Sequence, residues 1–254
     1  MANVIAIANQ KGGVGKTTTT HALAAGLSSK GYRVLVIDND PQGNLSAACG
    51  AENYNSPTVY EVIKGMAQAA EAVQKTEGGF CIIPANIMLA GAEQELVQTG
   101  KEHRLAETVT PIAEDYDYIL IDTPPSLGVL TINAFTFADE VLIPTTASVF
   151  AASGIGQLHS TISNVKKYCN PRVRITGILL TRFNARTSIG KELRELTQKL
   201  GEHISAPIYK TYIRAAVAVE EAQAVQQDIF NYDSKSNVAM DYKLFVEEFL
   251  DGRN

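Results

Sequence analysis

The sequence predicts a doubly wound α/β fold, a mostly parallel sheet flanked by helices. Three observations predict it. Short β-rich runs alternate with helical stretches along the chain, the order required when crossover helices join parallel strands. Several of these runs, among them VLVID, YILID and ITGILL, are almost continuously apolar, as strands buried on both faces are. A glycine-rich octet, KGGVGKTT at residues 11–18, stands between the first apolar run and a helix-like stretch. A strand-to-helix turn of that kind points backbone N–H groups inward, and the helix N-terminus adds partial positive charge.

Strands are expected at residues 4–8, 33–38, 80–84, 118–122, 141–144, 175–181 and 207–209. The helix after the octet runs to about Lys30, with Leu23, Ala24 and Leu27 on one face and Gly31 as its stop. Near the C-terminus Tyr242, Phe245, Val246, Phe249 and Leu250 recur at helical spacing. A membrane-surface helix would carry lysines on its polar face. Here those positions include Asp241, Glu247, Glu248 and Asp251, so a core-packing helix is expected. No linker, repeat or low-complexity tract divides the chain, and one domain spanning 1–254 is the expectation.

Composition narrows the function classes. The hydrophobic fraction of 45% and charged fraction of 19% are those of a soluble globular protein. No apolar run reaches membrane-spanning length, and MANVIAIANQ lacks the form of a cleavable leader, which predicts a cytoplasmic protein. Cys49, Cys81 and Cys169 are widely spaced, with no C-x-x-C pair, which argues against disulfides and zinc. The four histidines are equally scattered, so no metal site of protein ligands alone is expected. The net charge of −5 conceals a segregation: residues 166–214 hold 11 basic and 3 acidic side chains, a net +8 in 49 residues. A polyanion-binding face inside an acidic protein has this form; solvated helix faces are the alternative.

The octet carries the chemistry. Gly12, Gly13, Val14 and Gly15 form a cradle for phosphate, Lys16 reaches the β- and γ-phosphates, and the Thr17 hydroxyl holds Mg²⁺. The usual G-x-x-x-x-G-K-[ST] pattern is broken, because Gln10 stands at the first glycine and an extra lysine, Lys11, follows it. A second strand ends in Asp38-Asn39-Asp40. A third ends at Asp122 and continues as Thr123-Pro124-Pro125-Ser126-Leu127-Gly128. An aspartate after four apolar residues has the form of the carboxylate that completes Mg²⁺ coordination, often through water. Alone, either aspartate is more often a strand-end cap or turn former. With the phosphate loop they assemble a nucleotide hydrolysis site.

KGGVGKTTT, DNDPQGN and YDYILIDTPPSLGVLTINA resemble the deviant-Walker-A ATPases of the ParA/MinD superfamily, and within it the ParA/Soj-type partition branch. The similarity continues through VLIPTTAS, GILLTRFNART and IYKTYIRAAVAVEEAQ to YDSKSN. It implies a P-loop NTPase fold with ATP and Mg²⁺ as cofactors. By the resemblance Lys11 is the signature lysine, crossing an ATP-sandwiched homodimer to the other subunit's phosphates, as an arginine finger does. Lys16 matches the ordinary phosphate-loop lysine, Thr17 the Mg²⁺ ligand and Thr18 a phosphate contact. Asp40 matches the residue that positions or activates the attacking water, and Asp122 the carboxylate supporting Mg²⁺. The segment from Pro124 to Gly128 matches a switch sensing the γ-phosphate.

Short members of the family bind double-stranded DNA without sequence specificity as ATP-bound dimers, through basic residues of the C-terminal half. The resemblance therefore points to Arg182, Arg186, Lys191 and Arg194, then to Arg214 and Lys235. Capping helices or pairing with Glu192 and Glu195 is the alternative role for these residues. Also implied are a ParB-type centromere-binding partner that stimulates slow hydrolysis, a cytoplasmic, nucleoid-associated location, and no membrane. A MinD-like division-site regulator needs a basic amphipathic C-terminal helix, which LFVEEFLDGRN does not supply. An ATPase positioning another cargo shares all of this chemistry, and iron-protein relatives need paired cysteines. The chain departs from the family pattern at Ser148 and Ser153, across Ile213–Ala222, where two arginines are missing, and at Asn237. These departures suggest a plasmid or mobile-element variant.

Overall fold

Eight strands assemble in the order β3-β4-β2-β5-β1-β6-β7-β8. The structure, a computed structural model, describes residues 2–148 and 151–252, without the side chains of 151–153 and 189; Ser153 thus lies outside the described side chains. The strands are β1 (Asn3–Ile7), β2 (Val34–Asp38), β3 (Gln74–Lys75), β4 (Cys81–Ile83), β5 (Tyr118–Asp122), β6 (Glu140–Thr146), β7 (Arg174–Thr181) and β8 (Ile208–Tyr212). All neighbours run parallel except β3 and β4. The helices are α1 (Lys16–Ser29), α2 (Asn44–Ala48), α3 (Val59–Lys64), α4 (Ala69–Ala72), α5 (Leu89–Glu95) and α6 (Arg104–Val109). After them come α7 (Val129–Phe137), α8 (Ala151–Tyr168), α9 (Ser188–His203), α10 (Val217–Ala224), α11 (Ile229–Tyr232) and α12 (Asn237–Asp251).

The apolar runs are continuous because each strand feeds two cores. Val4, Ala6, Leu35, Ile37, Ile119 and Ile121 join one core, with side chains of α3 to α8. Ile5, Ile7, Val34, Val36 and Leu120 point the opposite way, into a second core with α1, α2 and α10 to α12. Strand residues alternate between faces, so a strand covered on both sides shows no polar alternation. The C-terminal helix packs as its spacing predicts: Tyr242, Phe245, Val246 and Phe249 are buried against α1 and β8. Gly26 in α1 makes that approach possible, since a Cβ there would stand 2.6 Å from Val246 Cγ2.

The expected strands are all present, with shifted ends. The segment expected at 207–209 extends over Ile208–Tyr212, and the one at 141–144 over Glu140–Thr146. Glu140 enters its strand in register with Arg174 on β7, whose guanidinium pairs with its carboxylate at 2.7 Å. The two-residue β3 was not expected, because an antiparallel edge pairing of Gln74 and Lys75 leaves no hydrophobic signature.

Candidate nucleotide site and basic face

Three adjacent strands deliver the site. β5 lies between β2 and β1, and in register Asp122 stands opposite both Asp38 and Ile7. Parallel strands in register end along one edge, so the phosphate loop after β1 meets both strand-end aspartates there.

The loop is held at its base and open on top. Asn9, buried, donates to the Pro144 carbonyl at 2.8 Å and accepts from the Lys11 N–H at 2.9 Å. At the other end the Thr181 hydroxyl, closing β7, donates to the Val14 carbonyl at 2.8 Å. Gly13 and Gly15 have φ of 69° and 80°, a left-handed conformation that glycine adopts without penalty. A Cβ added to Gly12 or Gly13 would meet nothing within 4 Å, so the space above the loop is free. Gly15 caps α1 without a side-chain hydrogen bond, and the first turn contains no acidic residue. The orphan N–H groups of that turn are thus available to phosphate. Lys11, Gly12 and Gly13 are exposed, and Thr18 is half-buried, with its hydroxyl accepting from Gln223 Nε2 at 3.2 Å.

Below the loop the charges are crowded. Lys16 is buried, which lowers its amine pKa, and Asp122 and then Asp40 oppose the shift. The Thr17 hydroxyl donates to Asp122 Oδ2 at 2.7 Å. Asp122 is 1% exposed, and its carboxyl is pushed up to about 8, first by burial and then by the charge of Asp38. Asp38 is fully buried, and burial pushes it up to about 6 against the hydrogen bonds it accepts from Ser46 Oγ at 2.7 Å and Ser46 N at 2.8 Å. Asp38 also accepts from the Asp40 N–H at 3.2 Å, and Asp40 in turn accepts from the Gln42 N–H at 3.0 Å.

A divalent cation fits this donor set. Asp122 and Asp40 both act on Lys16, Asp38 crowds Asp122 from the neighbouring strand, and a hydroxyl already touches Asp122. Among the described residues no group of three or more His, Cys, Asp or Glu is arranged to hold a metal. A cation here would therefore take most of its oxygen ligands from phosphate and water, as Mg²⁺ does.

The comparisons with known proteins agree with this geometry. The AAA domain family matches residues 2–175. The sporulation initiation inhibitor protein Soj of Bacillus subtilis is 42% identical over 98% of both chains. The chromosome partitioning protein ParA of Caulobacter vibrioides (strain NA1000 / CB15N) is 40% identical over 97% of this chain and 93% of its own. The chain belongs to the family of ParA/MinD-type partition ATPases. A crystal structure of cobyrinic acid a,c-diamide synthase from Mycobacterium smegmatis, with bound ATP analog and magnesium, superposes with a TM-score of 0.85. It is 34% identical over 98% of this chain and 95% of that one. ATP and Mg²⁺ are the cofactors that the ParA-type loop fits.

The ParA-type chain carries its basic candidates in two places. Arg182 directly follows β7, and Arg186 precedes α9; both are exposed. Lys191 is exposed on α9, and Arg194, half-buried, donates to the Lys210 carbonyl at 3.4 Å beside a groove of about 450 Å³. Among the described residues no ion pair joins these four to Glu192 or Glu195. Arg214 and Lys235 lie apart, near the start of α12. The Arg214 guanidinium is bidentate on Asp241, at 2.7 and 2.9 Å, and Lys235 is exposed in the preceding turn.

Sequence reasoning counted Asp38 among the strand-end aspartates of the hydrolysis site, since VLVID ends as YILID does; only the structure shows that it is buried and crowds Asp122. Thr181 was legible as the polar residue closing an apolar strand. Asn9 and Gln223 gave no signal, since their partners are 135 and 205 residues away.

Proposed function

We propose that this chain, acting as one ATPase unit over 1–254, is a DNA-partition protein whose ATP-bound homodimer binds double-stranded DNA without sequence specificity. One observation carries the reading. Thr181, which anchors the phosphate loop through Val14, is followed directly by Arg182 at the start of the basic face. Nucleotide state and DNA affinity thus share a strand end.

The residue roles follow from the site. Gly12 to Gly15, Lys16 and Thr18 hold the phosphates. Lys11, exposed on the loop, reaches the phosphates bound by a second subunit and offsets charge developing in the transition state. Asp40, held by the Asp38 carboxylate through its N–H, orients the attacking water. Thr17 and Asp122 would hold Mg²⁺, which would supply positive charge against the phosphate oxygens. Arg182, Arg186, Lys191 and Arg194 contact DNA phosphates. A ParB-type partner stimulates hydrolysis and so releases the dimer, which is cytoplasmic and nucleoid-associated. Two features support a reading without membrane attachment. The apolar side of α12 is spent in the core, and among the described residues no helix is long and apolar enough to cross a membrane.

Binding to plain duplex DNA, measured with ATP, with ADP and without nucleotide, tests the proposal. Binding is expected only with Mg²⁺ and ATP. With four contacts per subunit, log affinity should fall against log salt with a slope of about −7. Lys16→Ala should abolish binding. Arg182→Glu with Arg186→Glu should abolish it while sparing ATP binding. DNA binding that ignores nucleotide, or that survives the double reversal, would overturn the reading, as would liposome binding without DNA binding.

A further inference from the structure

The exposed lysine of the phosphate loop hangs from a buried side chain two residues before it. The chain leaves the sheet beside β6 in three steps. The last backbone rung is the Ala8 N–H on the Leu142 carbonyl, at 3.0 Å. Pro144 follows two residues later on β6, and proline has no N–H with which to continue a ladder. Its carbonyl is taken by the Asn9 side chain instead, whose Nδ2 donates at 2.8 Å. Oδ1 of the same amide accepts from the Lys11 N–H at 2.9 Å. Asn9 is 4% exposed, so its amide is turned away from solvent and towards these two backbone groups.

The arrangement makes a glycine at position 10 unnecessary. The usual loop has glycine there, the residue suited to a left-handed turn. Among the described residues the non-glycine residues with positive φ are Arg182, Ser205 and Gln226, so Gln10 turns without that conformation. The turn is closed by a side chain, as an Asx turn is, with Asn9 accepting from the backbone two residues on. The second clamp, Thr181 on the Val14 carbonyl, grips the far side of Gly12 and Gly13. The two clamps thus hold different parts of the loop. Thr181 supports the cradle that ends at Lys16, and Asn9 supports the backbone that carries Lys11.

We propose that Asn9 is the positioning residue for Lys11. Anchored on β6 through Pro144, its amide fixes the backbone from which Lys11 reaches the phosphates bound by a second subunit. The inference deepens the ATPase reading above and rests on it. With its amide committed to backbone, Asn9 acts on the reaction through Lys11. Its loss should therefore resemble the loss of Lys11, in turnover rather than in nucleotide affinity.

Three measurements on the full chain test this: hydrogen exchange at the Lys11 amide without nucleotide, calorimetry of ATP binding, and single-turnover hydrolysis. Asn9→Ala should speed exchange at the Lys11 amide about tenfold, the worth of one hydrogen bond. The hydrolysis rate should fall at least about tenfold, as it does when a reacting group is misplaced. Kd for ATP should stay within about twofold, the pattern of an interaction made only in the transition state. In a Lys11→Ala background Asn9→Ala should slow hydrolysis no further. Asn9→Ser, whose hydroxyl can accept from the same N–H, should fall between the wild type and Asn9→Ala in exchange and in rate. Unchanged exchange or rate in Asn9→Ala, a larger rise in Kd, a further loss in the Lys11→Ala background, or a serine variant no better than alanine would overturn the proposal. A wild-type protein without ATPase activity would refute the ATPase reading instead. The exchange measurement, which uses no nucleotide, would still decide whether Asn9 holds the turn.

Discussion

Replacing Asp122 by asparagine separates what this carboxylate costs the nucleotide-free protein from what it does with Mg²⁺. The side chain is 1% exposed and accepts from the Thr17 hydroxyl at 2.7 Å. Asparagine keeps an oxygen for that hydroxyl and removes the charge. Burial and Asp38 push the Asp122 carboxyl up to about 8, well above an unfolded value of about 4. The folded protein therefore holds a proton that the unfolded chain releases. Stability from this group is fully present below about pH 4 and is lost as pH rises towards about 8. At pH 8 the accumulated loss is on the order of 5 kcal/mol, since each tenfold change in proton affinity is worth about 1.4 kcal/mol. Urea unfolding across pH 4 to 8, with and without Mg²⁺ and ATP, is the assay. Without nucleotide, Asp122→Asn should be the more stable protein at pH 8, and its advantage should shrink towards pH 4. At a hundredfold excess over Kd, Mg²⁺ and ATP should stabilise the wild type by about 2.7 kcal/mol, and the variant should lose the Mg²⁺-dependent part. Parallel pH profiles, or an asparagine variant less stable at pH 8, would refute the reasoning.

Two further substitutions probe the scaffold. Gly26→Ala would place a methyl 2.6 Å from Val246 Cγ2 and should cost about 1–2 kcal/mol in urea unfolding, overpacking outweighing the better helix propensity. In a Val246→Ala background the same change should become stabilising, and a persistent loss there would show that the contact is not the cause. Thr181→Val removes the hydrogen bond to the Val14 carbonyl. Nucleotide Kd, read by calorimetry, should rise about fivefold, the worth of one buried hydrogen bond. An unchanged Kd would mean that the loop keeps its shape without that anchor.

The fold was legible because burial on both faces leaves its mark on every central strand. VLVID and YILID announce two-sided burial within five residues each, and the glycine turn with its lysine is equally local. What escaped had no local pattern: the short edge strand Gln74–Lys75 is made by its partner, and Asn9 meets Pro144 only because β1 lies beside β6. Arg214 shows the same limit from the other side. Its charge counts toward the basic segment in sequence, yet its guanidinium is bidentate on Asp241, 27 residues onward.

By itself the sequence determined the doubly wound sheet, the phosphate loop with its extra lysine, and the strand-end aspartates. Strand periodicity and turn chemistry act over a few residues and need nothing distant to be read. The tertiary structure alone decided that Asp38 crowds Asp122 across the β2–β5 register and that Thr181 and Asn9 clamp the loop from opposite ends. These contacts join parts of the chain that meet only when parallel strands come into register and bring their ends to one edge.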